Sequence, residues 1–186
     1  MLSQTEVQQI ETKYSTEINE LKLCFLQKTT QDDMRLVSWY CILAETGELP
    51  LFTDPQYYRL FDFIRILQSK TVVYTVDNSN QIDFVMSIAA TGNTRNSAPI
   101  CSLWISQTAR KAPVTALRKL NLIYKILFEF YPAMLITTWQ PKIVEEAQRI
   151  GYTICGEVPN WLDQKIVYFL TLLKEDFYNS LKEVKK

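Results

Sequence analysis

The sequence predicts an α/β fold: a mixed, mostly antiparallel central sheet flanked by helices, with an N-terminal helical extension. Three observations lead there. Hydrophobic residues make up 47% of the 186, enough to bury a core in a chain whose length suits about one domain of roughly 100–200 residues. As far as Leu67 the apolar residues recur at spacings of three and four; at Lys70 the period becomes that of strands. Beyond Lys70, β-branched and aromatic runs alternate with helical stretches in an order that calls for a mixed sheet. This divides the chain into residues 1–69, helices that are part of the domain or packed on it, and residues 70–186, the α/β domain proper.

Val7, Ile10, Tyr14, Ile18, Leu21 and Phe25 fall on one face of a first helix from about Thr5 to Gln27, with Thr5 and Gln8 as its capping box. That face packs on the domain or on a partner protein. Asp32 or Asp33 caps a second helix through Leu43, stopped by Gly47 and Pro50. Asp54-Pro55 opens a third, running through Leu60, Ile64 and Leu67. Thr71 to Val76 is a strand, Asp77 to Asn80 a turn, and Ile82 to Ala90 a second strand. After a loop over residues 91–97, Ile100 to Ser106 completes an antiparallel meander. Pro113 opens a long helix to Tyr131, striped by Leu117, Leu120, Ile123, Tyr124, Leu127 and Phe130. Ala133 to Thr138 is a fourth strand, and Pro141 to Ile150 a helix closed by Gly151. Tyr152 to Glu157 and Lys165 to Leu172 are two last strands around a Pro159-Asn160 loop, and Glu175 to Lys185 is a terminal helix.

Composition excludes several chemistries. No histidine is present, so neither a Ser/His/Asp or Cys/His triad nor His-ligated zinc is available. Cys24, Cys41, Cys101 and Cys155 lie far apart among apolar neighbours and read as reduced core residues of a cytoplasmic protein. The first residues lack a signal pattern. No apolar run approaches the ~20 residues of a membrane span. Asp32-Asp33, Asp62 and Asp83 lack the spacing of a metal site and read as caps and solvated faces. Twenty basic residues balance twenty acidic ones, so net charge indicates no nucleic acid. The charge is nonetheless divided. From Phe84 to Phe128 there is no acid, while Arg95, Arg110, Lys111, Arg118, Lys119 and Lys125 are basic. The stretch is an anion-attracting patch or an ordinary solvated helix face.

The order of three strands, long helix, strand, short helix and two strands resembles that of the GNAT N-acetyltransferases, over Lys70 to about Phe177. The most specific stretch is Gln140 to Tyr152, where the family commonly reads N-x-x-A-x-x-L-Y-E-K-x-G-F. Gly151-Tyr152 and Arg149 match; Gln140 stands at the Asn position and Ile143 at the small apolar one. Trp104, the basic start of the long helix (Arg118-Lys119) and Trp139 also look like small GNAT-like proteins of tailed phages, some of them virion proteins.

This resemblance implies acetyl-CoA as cofactor and transfer of its acyl group to an unknown amine. The pantetheine arm would lie along the strand backbone from Leu103 through Ile105 to Ser106. The diphosphate would be held by Arg110, Lys111 and Thr115, and Trp139 and Gln140 would end the strand that borders the cleft. Ser102, Thr137 and Thr138 would reach the same cleft.

Two departures stand against it. The family's Q/R-x-x-G-x-G/A loop lets backbone N–H groups approach the diphosphate at a helix N-terminus. Here Gln107 to Ala116 contains no glycine, Pro113 has no N–H to give, and either Arg110 or Lys111 can be the leading cation. Many GNAT enzymes use a Tyr on the short helix as general acid; that position is Ala147, beside Gln148 and Glu146. Water or Tyr152 would have to replace it. The rival expectation is a catalytically silent GNAT-like module with a structural or protein-binding role, virion-associated if phage-encoded.

Overall fold

The computed structural model describes residues 2–27, 29–47, 59–89, 97–162 and 165–183. Among the described residues seven strands form one sheet in the order β1-β2-β3-β4-β5-β7-β6, numbered along the chain, with helices flanking it. By its internal contacts the chain divides into two compact units: Met1–Ala89 with Ser102–Ile126, and Ala90–Cys101 with Leu127–Lys186.

The first unit begins with two short helices rather than one. α1 spans Gln4–Lys13 and α2 Ser15–Leu21, with the break at Tyr14. The capping box is Ser3 with Glu6, two residues earlier than the sequence suggests. The apolar spacing runs unbroken through Phe25, but the chain turns at Lys22, which adopts left-handed φ 51°. Leu23–Phe25 is therefore strand β1, paired antiparallel to β2 with Cys24 opposite Tyr74. Phe25 lies four residues after Leu21, a step that the period of a helix and that of a strand both allow.

α3 covers Thr30–Glu45. Its N-cap is Thr29, and Asp32 supplies the third residue of a capping box rather than the cap itself. α4 covers Leu60–Gln68; the expected Asp54-Pro55 start lies outside the described residues. β2 (Thr71–Val76) and β3 (Ile82–Ala89) pair antiparallel. Between them the Asp77 carboxylate accepts N–H groups of Ser79 and Gln81 at 2.8 and 3.0 Å, and Asn80 takes φ 62°. β4 is Ile100–Ile105, followed by the single turn α5 (Gln107–Arg110) and by α6 (Pro113–Leu127). The first unit's core is Leu36, Trp39 and Leu43 of α3, Phe63 and Leu67 of α4, and Val72, Tyr74, Val85 and Trp104 of the strands. Trp39 meets Trp104 edge-on at 5.5 Å and Phe63 at 5.3 Å.

In the second unit β5 (Ala133–Thr138) pairs antiparallel with β7 (Lys165–Leu173) over its whole length, from Ala133 opposite Leu173 to Thr138 opposite Tyr168. It pairs parallel with the start of β4, Ile100 opposite Leu135, and the Leu135 N–H donates to the Pro99 carbonyl at 2.9 Å. β6 is longer than expected, Thr153–Leu162, so Pro159-Asn160 lies inside a strand instead of a loop. β6 ends the sheet order, and an edge strand tolerates a residue with no N–H to give to the ladder; the register shifts there, between Val158 and Leu162. α7 (Pro141–Arg149) buries Val144 and Ala147. It stops at Gly151, whose φ of 99° is left-handed. α8 (Lys174–Glu183) buries Phe177, whose ring lies 5.2 Å from that of Phe128.

Two expectations about single side chains fail. Cys101 is buried and Cys24 half-buried, but Cys41 and Cys155 are exposed, so the four are not all core residues. The acid-free stretch also presents less free charge than its composition suggests. Lys119 is buried on Asp83, and Arg118 reaches Glu20 at 2.6 Å; Arg95 lies outside the described residues.

Candidate functional site

Six of the nine expected site residues sit in the first unit, on the path from β4 into α6. β4 alternates faces: Trp104 is buried, Leu103 is 39% exposed, and Ile105 is half-buried. Ser106 leaves the strand and caps α5, its Oγ accepting the Ala109 N–H at 3.1 Å. Its role is thus a cap as well as a strand end. Arg110 Nε donates to the Ile105 carbonyl at 2.8 Å, tying the guanidinium to the end of β4. Lys111 and Thr115 are exposed on either side of Pro113.

The turn spends its own backbone donors. Arg110 N–H goes to the Ser106 carbonyl, Lys111 N–H to Thr108 and Ala112 N–H to Ala109, at 3.0–3.2 Å. With the Ala109 N–H on Ser106 Oγ, four successive amides are bonded inside the segment. A glycine-rich loop would leave such groups pointing at a bound anion. The bonds of residues 109–112 leave side-chain charge from Arg110 and Lys111, together with the first-turn amides of Val114 and Thr115 and the Thr115 hydroxyl at the start of α6.

Three expected residues belong to the second unit. Trp139 is half-buried directly after β5, and Gln140 is exposed at the N-cap position of α7, its N–H on Thr138 Oγ1 at 3.2 Å. Tyr152 is 3% exposed, and its N–H donates to the Ala147 carbonyl at 3.0 Å. Ala147 is itself 5% exposed, so the position that carries a Tyr acid in the motif is a methyl group in the core.

Two polar clusters of the first unit went unread in the sequence. Lys119 Nζ lies 2.8 and 3.0 Å from the Asp83 carboxylate oxygens and 2.8 Å from Thr75 Oγ1. Asp83 is therefore the half-buried ion-pair partner of the buried Lys119, not a solvated-face residue; its place as the last acid before the acid-free stretch was the available signal. The second cluster is Asp32, which accepts the Tyr74 hydroxyl on one oxygen and Gln27 N–H, Thr29 N–H and the Thr29 hydroxyl on the other. Burial opposes its charge, but the hydrogen bonds from Tyr74, Thr29 and Gln27 outweigh that and hold its carboxyl below the usual range. Burial and the bond to Asp32 push the Tyr74 phenol up. Tyr74 also accepts from Arg35 at 3.0 Å, and Arg35 reaches Asn80 at 2.6 Å. This cluster lines a cavity of about 380 Å³ among α2, β1 and α3.

Among the described residues no group of histidine, cysteine, aspartate or glutamate could hold a metal, and no helix is long and apolar enough to cross a membrane. No protein-family model matches the chain, and no curated protein matches it by sequence. Solved structures do match. Spermidine N-acetyltransferase from Vibrio cholerae, in complex with CoA and spermine, superposes with a TM-score of 0.66 at 10% identity, covering 84% of this chain and 98% of that one. An acetyltransferase of the GNAT family from Streptococcus pneumoniae gives 0.60 at 14% identity, over 81% and 99%. A GCN5-related N-acetyltransferase from Kribbella flavida gives 0.59 at 12% identity, over 81% and 97%. Superposing over more than four-fifths of its length at so low an identity, the chain has the fold of the GCN5-related N-acetyltransferases.

Proposed function

We propose that the protein binds an acyl-CoA and transfers the acyl group to an amine, gripping the diphosphate by side-chain charge rather than by a glycine loop. The observation that carries the reading is the join of β4 to α6 in this fold, with Arg110, Lys111 and Thr115 gathered on one short segment. The fold's occurrence in a spermidine N-acetyltransferase solved with CoA supports it. Leu103 and Ile105 offer strand backbone to the amides of a pantetheine arm. When bound, the thioester would supply an activated carbonyl to an uncharged amine: the C–N bond forms as the C–S bond breaks, the electron pair leaves on sulfur, and the acylated nitrogen sheds its extra proton to water. Ala147 has no proton to give, so we assign the proton for the leaving sulfur to water. Tyr152 is the alternative donor, and Tyr152→Phe tells the two apart by whether turnover survives.

A second reading has its own observation. The four amides bonded within residues 106–112 and the buried methyl of Ala147 are what a silent module would retain. Such a module keeps the fold for a structural or protein-binding role; the virion-associated setting belongs to this reading.

Thermal denaturation with acetyl-CoA separates them. A ligand at 100 times its dissociation constant stabilises by about 2.7 kcal/mol. The acyltransferase reading expects a clear rise in Tm that shrinks in Arg110→Ala/Lys111→Ala. An unchanged Tm at millimolar acetyl-CoA overturns it and leaves the silent module.

A further inference from the structure

The largely enclosed ion pair of the first unit connects to both ends of the segment assigned to the diphosphate. Lys119 is 6% exposed, and its ammonium is enclosed by Asp83 and Thr75. A pair so enclosed gives little stability beyond what an apolar replacement would give. Its value lies in what it holds in place. Asp83 makes two connections from strand β3: its carboxylate holds Lys119 on α6, and its main-chain carbonyl accepts the Ser106 N–H at 2.9 Å. Residues 107–118 run between these two points, and Arg110, Lys111 and Thr115 lie among them.

A loop that grips an anion with backbone amides carries its own geometry. A segment that grips with side-chain cations does not, because the cations move with whatever places their backbone. We propose that Asp83 and Lys119 are positioning residues for a bound diphosphate, setting residues 107–118 through one carboxylate and one carbonyl. Thr75 completes the arrangement, donating to Asp83 and accepting from Lys119. The inference rests on the acyl-CoA reading above.

The test uses the full chain and two probes: CoA, and pantetheine, which lacks the diphosphate. Calorimetry measures the first and a chemical-shift titration the second. Asp83→Asn is expected to weaken CoA by about tenfold, since displacing binding groups by a fraction of an ångström is costly, while pantetheine binds as to the wild type. Equal CoA affinity in variant and wild type overturns the inference and leaves the acyl-CoA reading standing. An equal loss for both probes also overturns it, because that marks general damage. No CoA binding by the wild type overturns both. If Asp83→Asn does not fold, Thr75→Val removes a single hydroxyl from the cluster. It is expected to weaken CoA by about two- to threefold, again sparing pantetheine, and unchanged CoA affinity there sinks the proposal.

Discussion

Removing Lys119 tests the energetics of the first unit most directly. In Lys119→Met the methionine fills most of the space, but the Asp83 carboxylate, its side chain 15% exposed, loses its cation. The Thr75 hydroxyl, on a residue with no exposure, loses a donor. Breaking an enclosed pair from one side costs about 3–5 kcal/mol, chiefly the penalty on the charge left behind. For a chain of this length each kcal/mol moves Tm by about 2–4 °C, so a fall of roughly 6–20 °C is expected. The double variant Asp83→Asn/Lys119→Met removes that stranded charge and is expected to recover at least about 2 kcal/mol, a coupling of the size seen between contacting groups. Urea melts of the wild type, both single variants and the double variant close the cycle. A Lys119→Met cost under about 1 kcal/mol, or additive single effects, would show the pair to be solvated and the reasoning wrong.

Three further outcomes follow from the same packing. Trp39→Ala empties a wholly buried site between Phe63 and Trp104 and is expected to cost about 3–5 kcal/mol in urea melts, against well under that for Trp39→Phe. Gly151→Ala places a methyl at φ 99°, 3.3 Å from Leu172 Cδ1 and 3.4 Å from the Asp176 carbonyl, and is expected to lose about 1–2 kcal/mol or more by thermal denaturation. Asp32 has a folded pKa held below its ordinary 3.8; its contribution is present above that value and is lost as pH falls through the lower folded one. Stability followed by urea from pH 6 to pH 2 is therefore expected to drop less steeply on the acid side in Asp32→Asn than in the wild type.

The β-strands and helices beyond Lys70 were legible because their periods differ and their boundaries carry chemistry. Pro113, Pro141 and Gly151 mark ends that the structure places within a residue or two. The N-terminal part was harder. Phe25 continues the spacing of Ile18 and Leu21, and the residue that ends the helix in left-handed geometry is a lysine, which announces no turn. In the candidate site, the exposed cations could be named from sequence because charge is visible there. The Asp83–Lys119 pair could not, since 36 residues separate its members and only the fold joins β3 to α6. Asp32 was rightly placed at a helix start, but its bond to Tyr74 spans 42 residues and comes from β2.

The two departures from the acetyltransferase motif have different physical weight. Replacing a tyrosine acid by Ala147 removes one proton donor, a loss water can partly cover because the leaving thiolate is already a weak base compared with an alkoxide. Replacing the glycines changes binding itself, since Ala109, Arg110, Lys111 and Ala112 bond their amides within the segment and cannot offer them without unwinding it. On the acyl-CoA reading more of the affinity would fall to Arg110 and Lys111, both exposed, and attraction between exposed charges is screened over about 10 Å at 0.1 M salt. On the silent-module reading, weak cofactor capture comes first and the missing acid second. The placing of residues 107–118 by Asp83 and Lys119 bears on the first of these.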